Sequence, residues 1–318
     1  MNKSISVIIP TKDREDSLAR LLKSLSDQCE DLLEIIVVDA GKTSGSREVV
    51  RAYEKEFPVP LSYVRSKVGT STQRNIGVKL AQGSICFFLD DDVVLDKDCV
   101  REIINVFKND KSMKIGGVQA GINLEYNERR KLYPAYLFEY LFSIQKSSKQ
   151  HRIMRSGFCA GTWAMPKEIE ITFNEEWLFG GCTAYRRELF HELRIFFSTE
   201  FEKFSSYAYM EDSHFSNRVK KTGFLLARTT RAKFWHFSES HSDPNDRSFE
   251  AMKTFNHYLI WRDCVKHNVF NYLALFWSNL GLLLKNVGIL LAKRKEAKLI
   301  GFFDGIKATL SDIHRDTH

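Results

Sequence analysis

The chain has 318 residues, 43% of them apolar, and a formal net charge of +7. That is long enough for one large domain, or one domain with an elaborated tail, and apolar enough to bury a sizeable core. The positive balance favours acidic partners such as phosphates or anionic lipid. However, the basic residues are spread among Leu and Phe with no basic block, zinc-finger or RNP-type signature, which argues against nucleic-acid binding. The 24 Phe exceed what an ordinary core needs and predict a surface that meets something other than water. None of Cys29, Cys86, Cys99, Cys159, Cys182 and Cys264 is in CxxC spacing. In a chain of this length they read as reduced core thiols of a cytosolic protein. The opening MNKSISVIIP holds an apolar run too short for a signal peptide.

In chain order, Ser4 to Pro10 is a β-branched strand, and Leu18, Leu21, Leu22 and Leu25 follow at helical spacing. Leu33 to Asp39 is a second apolar strand, with a helix around Val49, Val50 and Tyr53 after it. Leu61 to Arg65 is a third strand, Thr70 to Ala81 a helix stopped by Gly83, and Ile85 to Leu89 a fourth strand that ends in Asp90, Asp91 and Asp92. Strands apolar throughout and alternating with helices predict an α/β fold with a mostly parallel sheet covered on both faces. Ligands in such sheets bind beyond the carboxyl ends of the strands, where Asp39 and the three aspartates lie.

Beyond Gly121 the pattern is irregular. Tyr133, Tyr136, Leu137, Tyr140 and Leu141 suggest an aromatic helix after Pro134. Gly180 to Phe190 and Glu211 to Thr222 each read as a turn and then a helix, and a short strand enters Trp235 and His236. From about Arg247 the chain reads as all helix, so the expected division is a domain over 1–245 and a helical region over 246–318.

FFLDDDV is the strongest chemical signal. Three adjacent carboxylates repel one another unless a cation sits among them. Hard divalent cations prefer carboxylate and diphosphate oxygens, which points to manganese or magnesium. A solvated acidic turn is the plainer alternative.

Together, SVIIPTKDR, IIVVDAG, STQRNIG, FFLDDDV, GGCTAYRRELF, MEDSHFSNRVKKTGF and FWHF, in this order and spacing, resemble the family-2 inverting glycosyltransferases of the GT-A, Rossmann-like fold. The likeness covers roughly the first three quarters of the chain. It implies a nucleotide-sugar donor whose base is cradled by Pro10, Thr11 and Asp39, with Arg74 and Arg218 toward the base and phosphates. It implies Asp90 and Asp91 near the ribose and metal, Asp92 as main metal ligand and His236 as a further one. It also implies Asp212 as catalytic base, and an acceptor beside Trp177, Gly181 and Glu211. A carboxylate at Asp39 can accept the imide N–H of uracil or thymine, so UDP- or dTDP-sugars are favoured. One departure is Ala40, where the family usually carries a second acidic residue.

Each residue has a rival reading. Asp13 with Asp16 reads as a helix N-cap box. Asp39 fits a turn, Arg74 a surface helix position, and Glu211 with Asp212 an acidic helix start whose macrodipole would also keep Asp212 ionised. Trp177 fits a sugar-stacking platform or a buried core position. His191, His214 and His241 have no assigned role.

The chemistry follows from the roles implied. A metal on Asp92 stabilises the leaving diphosphate. Asp212 takes the proton of the acceptor hydroxyl, and with one base and no covalent nucleophile the displacement is single and inverting. The acceptor would be a glycan or a lipid-linked hydroxyl in cell-surface polysaccharide synthesis. A sugar nucleotidyltransferase would need a Gly-rich triphosphate loop that IIPTKDRED lacks, and a non-catalytic sugar- or lipid-binding adaptor would not need Asp92, Asp212 and His236 together.

Val269 to Lys295 is long enough to span a membrane but is interrupted by Asn271, Asn279, Lys285 and Asn286. Asn271, Ser278 and Lys285 recur every seven residues on one face. The segment reads as an amphipathic helix on the anionic inner face of the cell membrane, with Lys285 reaching headgroups and Phe270, Leu273, Trp277, Leu280 and Leu284 in the acyl boundary. Lys293, Arg294, Lys295 and Lys298 would add attraction to anionic lipid. A helix packed on the catalytic domain, or on a second copy in a homo-oligomer, is the alternative.

Overall fold

The computed structural model describes residues 4–123, 134–162, 169–237 and 246–316. In chain order the first elements are β1 (Ile5–Thr11), α1 (Glu15–Ser26), β2 (Leu32–Asp39), α2 (Gly45–Tyr53), β3 (Leu61–Arg65), α3 (Thr70–Leu80) and β4 (Ile85–Leu89). Next come β5 (Val93–Leu95), α4 (Cys99–Asn109), β6 (Ile115–Ile122), α5 (Pro134–Leu141), the two-residue strands β7 (Arg152–Ile153), β8 (Cys159–Ala160) and β9 (Ile171–Thr172), then β10 (Cys182–Arg186) and α6 (Glu188–His191). The chain ends with α7 (Glu211–Lys221), β11 (Leu225–His236), α8 (Asp246–Cys264), α9 (Val269–Lys293) and α10 (Glu296–Asp316). They form two compact units. One comprises Met1–Tyr126, Trp163–Ser198 and Phe215–Glu239, and the other Asn127–Thr162, Thr199–His214 and Ser240–His318.

The first unit holds a nine-stranded sheet in the order β3-β2-β1-β4-β10-β6-β11-β5, with β9 on β11. β1 to β4 run parallel, and so do β6 and β11. β10 is antiparallel to both β4 and β6, and β5 is antiparallel to β11. All seven residues of β1 and all five of β4 are buried, as strands covered on both faces require. One face packs Leu18, Leu21, Leu22 and Leu25 of α1 and Ile103, Ile104 and Phe107 of α4. The other packs Val78 of α3 with Phe190, Phe197 and Phe215.

The four predicted parallel strands and the helices between them are present, as is the helix after Pro134, while Tyr133 lies outside the described residues. β10 corrects the sequence expectation of a turn and helix over Gly180 to Phe190: a buried strand comes first, and only the four residues of α6 are helical. Flanking glycines and the absence of alternation hid it.

The second unit is mostly helical. Phe255, Tyr258, Leu259 and Trp261 of α8 pack with Phe201 and with Ala308 of α10. Phe142, Ile144 and Phe158 pack with Leu282 of α9 and Phe302. α9 is long and apolar enough to cross a membrane by length and composition, and its sidedness corrects the sequence expectation. Asn271, Ser278 and Asn286 are turned inward and buried. Lys285 Nζ lies 2.6 Å from Glu139 Oε1 of α5, so it is not aimed at headgroups. The half-buried Glu139 supplies the reason, since an unpaired charge in that setting is costly. Leu280 also packs inward. The outward residues are apolar: Val269, Phe270, Tyr272, Leu273, Phe276, Trp277, Leu284 and Leu291 are exposed.

Close approach of α3 to β1 depends on Gly77. A methyl there would lie 2.3 Å from Ile8 Cγ2. Alanine gains about 1 kcal/mol of helix propensity, whereas overpacking a stiff β-branched neighbour costs about 1–3 kcal/mol. Gly77→Ala is therefore expected to melt several degrees lower than the wild type in a calorimetric scan. A raised melting temperature would mean that α3 stands off from the sheet.

Candidate active site at the carboxyl ends of the strands

Within the first unit, the ends of β1, β2 and β4 bring together most of the predicted donor residues. Thr11, the last residue of β1, donates from Oγ1 to Asp91 Oδ2 at 2.7 Å. Gln73 of α3 donates to the carbonyls of Thr11 at 2.8 Å and Val38 at 2.7 Å, tying the ends of β1 and β2 to that helix. Pro10 is buried beside Thr11 within β1, with no N–H to offer a ligand. Asp13 does not cap α1. It adopts φ +52° and accepts from the Lys42 N–H at 2.6 Å, which corrects the N-cap box expectation by crosslinking two loops.

Asp39 is fully buried. Oδ1 accepts from the Gly41 N–H at 2.7 Å, and Oδ2 accepts from the Tyr63 hydroxyl at 2.7 Å and Arg65 at 2.8 Å. A carboxylate accepts about four hydrogen bonds, so one more donor can be taken. The Arg65 side chain is half exposed and is the part of this shell free to move.

The three aspartates have separate partners. Asp90 Oδ1 accepts from Arg74 Nη2 at 2.8 Å. Arg74 is buried rather than a surface residue, and its guanidinium lies 5.4 Å from the Phe197 ring centre. Gly180 and Gly181 make room for this pair. A methyl on Gly180 would meet Arg74 Nη2 at 2.8 Å, and one on Gly181 would meet Asp90 Oδ2 at 3.3 Å. Arg14 Nη1 bridges Asp91 Oδ1 at 2.9 Å and Asp92 Oδ2 at 3.2 Å.

His236 reaches the site through strand pairing. The β5–β11 register sets it opposite Val93, the residue after Asp92, and the Phe237 N–H donates to the Asp92 carbonyl at 2.9 Å. His236 Nε2 then lies 3.2 Å from Asp92 Oδ1, a buried oxygen that accepts no well-aligned hydrogen bond. Among the described residues no three acidic, His or Cys side chains converge on one point. Asp92 with His236 nevertheless fits a magnesium- or manganese-type ion, which commonly takes one or two protein ligands and completes its shell with substrate phosphate and water. Asp90, directed at Arg74, is not drawn into that pair.

Burial pushes the Asp91 carboxyl up to about 6, against the opposing pull of Arg14. The Asp92 carboxylate beside it raises His236 above its ordinary value, against the effect of burial.

Other predicted residues are placed elsewhere. Arg218 donates to the Phe196 carbonyl at 3.2 Å. Trp177 is buried and packs edge-to-face on Phe179, in keeping with the core alternative for it. Glu211 and Asp212, in the second unit, open α7, and Asp212 Oδ1 accepts from the Ser213 N–H at 2.6 Å. His214, left without a role, lies 2.8 Å from Asp263, and His241 falls outside the described residues. Sequence reasoning did not single out Arg14, Tyr63, Arg65 or Gln73. Arg14 and Gln73 stand inside the quoted SVIIPTKDR and STQRNIG segments, which was the available signal.

Residues 6–194 match the model of glycosyl transferase family 2. The chain belongs to that family. A relative described as a putative teichuronic acid biosynthesis glycosyltransferase, TuaG of Bacillus subtilis, is 33% identical over 95 residues, 30% of this chain and 38% of its own. More broadly, the matched segments span 29%, 60% and 26% of three other curated relatives. Among solved structures, Staphylococcus aureus TarS 1-349 superposes with TM-score 0.58 at 15% identity, over 96% of this chain and 80% of that one. The mannosyltransferase PcManGT of Pyrobaculum calidifontis, solved with GDP-Man and Mn2+, superposes with TM-score 0.57 at 15% identity, over 98% and 88%. The fold is therefore GT-A, and the family has members in cell-surface polysaccharide synthesis.

The Asp91 shift carries a pH signature. A carboxyl at about 6 in the fold and 3.8 in the open chain takes up a proton on folding between those values. Its ionised form costs stability above pH 6, and the cost is relieved as pH falls toward 4. The melting temperature of the wild type relative to Asp91→Asn should rise between pH 8 and pH 5, by an amount equivalent to about 1–3 kcal/mol. Parallel melting curves at all pH values would show an ordinary carboxyl there.

Proposed function

We propose that this family-2 chain transfers a sugar, with inversion, from a nucleotide-diphosphate donor to a hydroxyl of a glycan or lipid-linked acceptor in surface-polysaccharide synthesis, using manganese or magnesium. The observation that carries the reading is the meeting of Asp92 Oδ1 and His236 Nε2 at 3.2 Å beyond the strand ends of a GT-A sheet. UDP- or dTDP-sugars are the favoured donors, because Asp39 retains one acceptor site suited to an imide N–H once Arg65 yields. Solved structures of TarS with UDP-GlcNAc and of PcManGT with Mn2+ support a donor and ion of this kind.

In this mechanism Thr11, Asp39 and Arg74 hold the nucleotide end, and Asp92 and His236 would hold the ion. When bound, it would supply neutralisation of the charge that grows on the departing diphosphate. Asp212 removes the proton of the acceptor hydroxyl as its oxygen attacks the anomeric carbon opposite the leaving group. One bond forms as one breaks, so the configuration inverts.

We further infer a peripheral position on the inner membrane face. Between Cys264 and Glu296 the chain has Lys266, Lys285, Lys293, Arg294 and Lys295 and no acidic residue. Lys295 lies 3.1 Å from Asp246 and Lys285 pairs with Glu139, which leaves exposed Lys266, Lys293 and Arg294 beside the outward apolar face of α9. A face carrying only positive charge suits anionic lipid and repels its own copy, which favours membrane over dimer.

Asp92→Asn should lose manganese-supported donor binding in calorimetry while folding normally. Asp212→Asn should keep donor binding and lose about 10²–10⁴-fold in transfer rate. Full transfer in excess chelator would remove the metal from the mechanism, and retained turnover in Asp212→Asn would remove the base. For location, Phe270→Ser combined with Phe276→Ser should reduce pelleting of the full chain with phosphatidylglycerol vesicles. Unchanged pelleting would assign the contact to another surface.

A further inference from the structure

We propose that Arg14 is an exchangeable counter-cation that occupies the acidic cluster until metal and diphosphate arrive together, so that the two ligands bind cooperatively. This rests on the metal reading of Asp92 and His236 given above.

Two arginines neutralise the aspartates, and their settings differ. Arg74 is 2% exposed, lies over Phe197 and sits so close to Gly180 that a methyl there would meet its Nη2 at 2.8 Å. The Arg14 side chain is 27% exposed, and it springs from the residue just before α1 with solvent beside it. Its single Nη1 touches both Asp91 Oδ1 and Asp92 Oδ2. Asp92 thus has one oxygen under Arg14 and the other facing His236.

A dication seated on Asp92 would share that carboxylate with the guanidinium. Like charges a few ångströms apart repel strongly where water is scarce. Metal alone must therefore either tolerate Arg14 or expel it to solvent, leaving Asp91 buried without its cation. A nucleoside diphosphate changes this balance. It brings oxygens that a planar guanidinium grips bidentately, so the displaced Arg14 gains a partner as Asp92 gains the ion. Each ligand then assists the other by the same factor.

The test measures manganese binding by the loss of free Mn2+ signal in electron paramagnetic resonance, without nucleotide, in the wild type, Arg14→Gln and Arg14→Lys. Calorimetric titration of uridine and guanosine diphosphates follows, with and without saturating Mn2+. We expect Arg14→Gln to bind Mn2+ alone at least fivefold more tightly than the wild type, and Arg14→Lys to bind it close to the wild-type affinity. In the wild type Mn2+ should tighten the better diphosphate by fivefold or more, and in Arg14→Gln that factor should shrink toward one. Unchanged or weaker Mn2+ binding by a folded Arg14→Gln would overturn the role of Arg14 while leaving the metal site intact. If that variant does not fold, absence of coupling between Mn2+ and either diphosphate in the wild type overturns it equally. Failure of the wild type to bind Mn2+ even with diphosphate would instead overturn the metal reading beneath it.

Discussion

Three carboxylates in a row at the end of a fully buried strand cannot all stay ionised without cations, and the sheet around β4 is arranged to provide them. Asp90 takes Arg74, Asp91 takes Arg14 and the Thr11 hydroxyl, and Asp92 takes Arg14 and His236. Each partner arrives on a different element: the end of β1, the loop before α1, the body of α3 and the end of β11. The order of strands in the sheet is thus also the means by which opposite charge reaches the cluster. The residual tension shows in Asp91, whose carboxyl stands at about 6 because burial outweighs the pull of Arg14.

Much of this was legible in the sequence. The apolar runs of β1 to β4 are too continuous to be half-exposed strands, and the aspartates at their ends follow directly from that pattern. What escaped has a common physical character. β10 is five residues between a glycine pair and a four-residue helix, and it exists because β4 and β6 leave a slot between them. No local propensity encodes such a slot. Arg14 and Gln73 were within recognised segments, yet a long polar side chain on a loop or helix has no readable direction until the strands set the distances. Asp13 illustrates the reverse error. The local capping pattern was present, but a left-handed turn at Asp13 carried its carboxylate to the Lys42 amide instead.

α9 shows the same limit at the scale of a whole helix. The seven-residue spacing of Asn271, Ser278 and Lys285 fixes that they share a face, and the sequence cannot say which way that face turns. Inward-facing polar groups and outward-facing Phe and Leu reverse the usual arrangement of a water-facing helix. The reversal is consistent in detail. Asn271 donates to the Lys266 carbonyl, its own carbonyl accepts from the Trp261 indole, and Ser278 returns its hydroxyl to Leu275. Asn271 and Ser278 thus find partners inside this unit while the helix offers hydrocarbon outward.

The carboxylate cluster and this helix obey one rule, that charge away from water must be matched, and they differ in how reversible the match is. Lys285 and Glu139 form a one-to-one pair at 2.6 Å, with no second carboxylate among the described residues sharing the lysine. Arg74 is buried, close to Gly180 and over Phe197. Arg14 alone among these cations combines a shared carboxylate pair with access to solvent. Burial, rather than charge or sequence position, separates the arginine that maintains the site from the one able to yield it. On the proposed reading, a site that admits a dication and later releases a diphosphate would need at least one neutralising group whose removal does not unfold its surroundings, and a partly exposed side chain anchored just before the first helix would meet that condition.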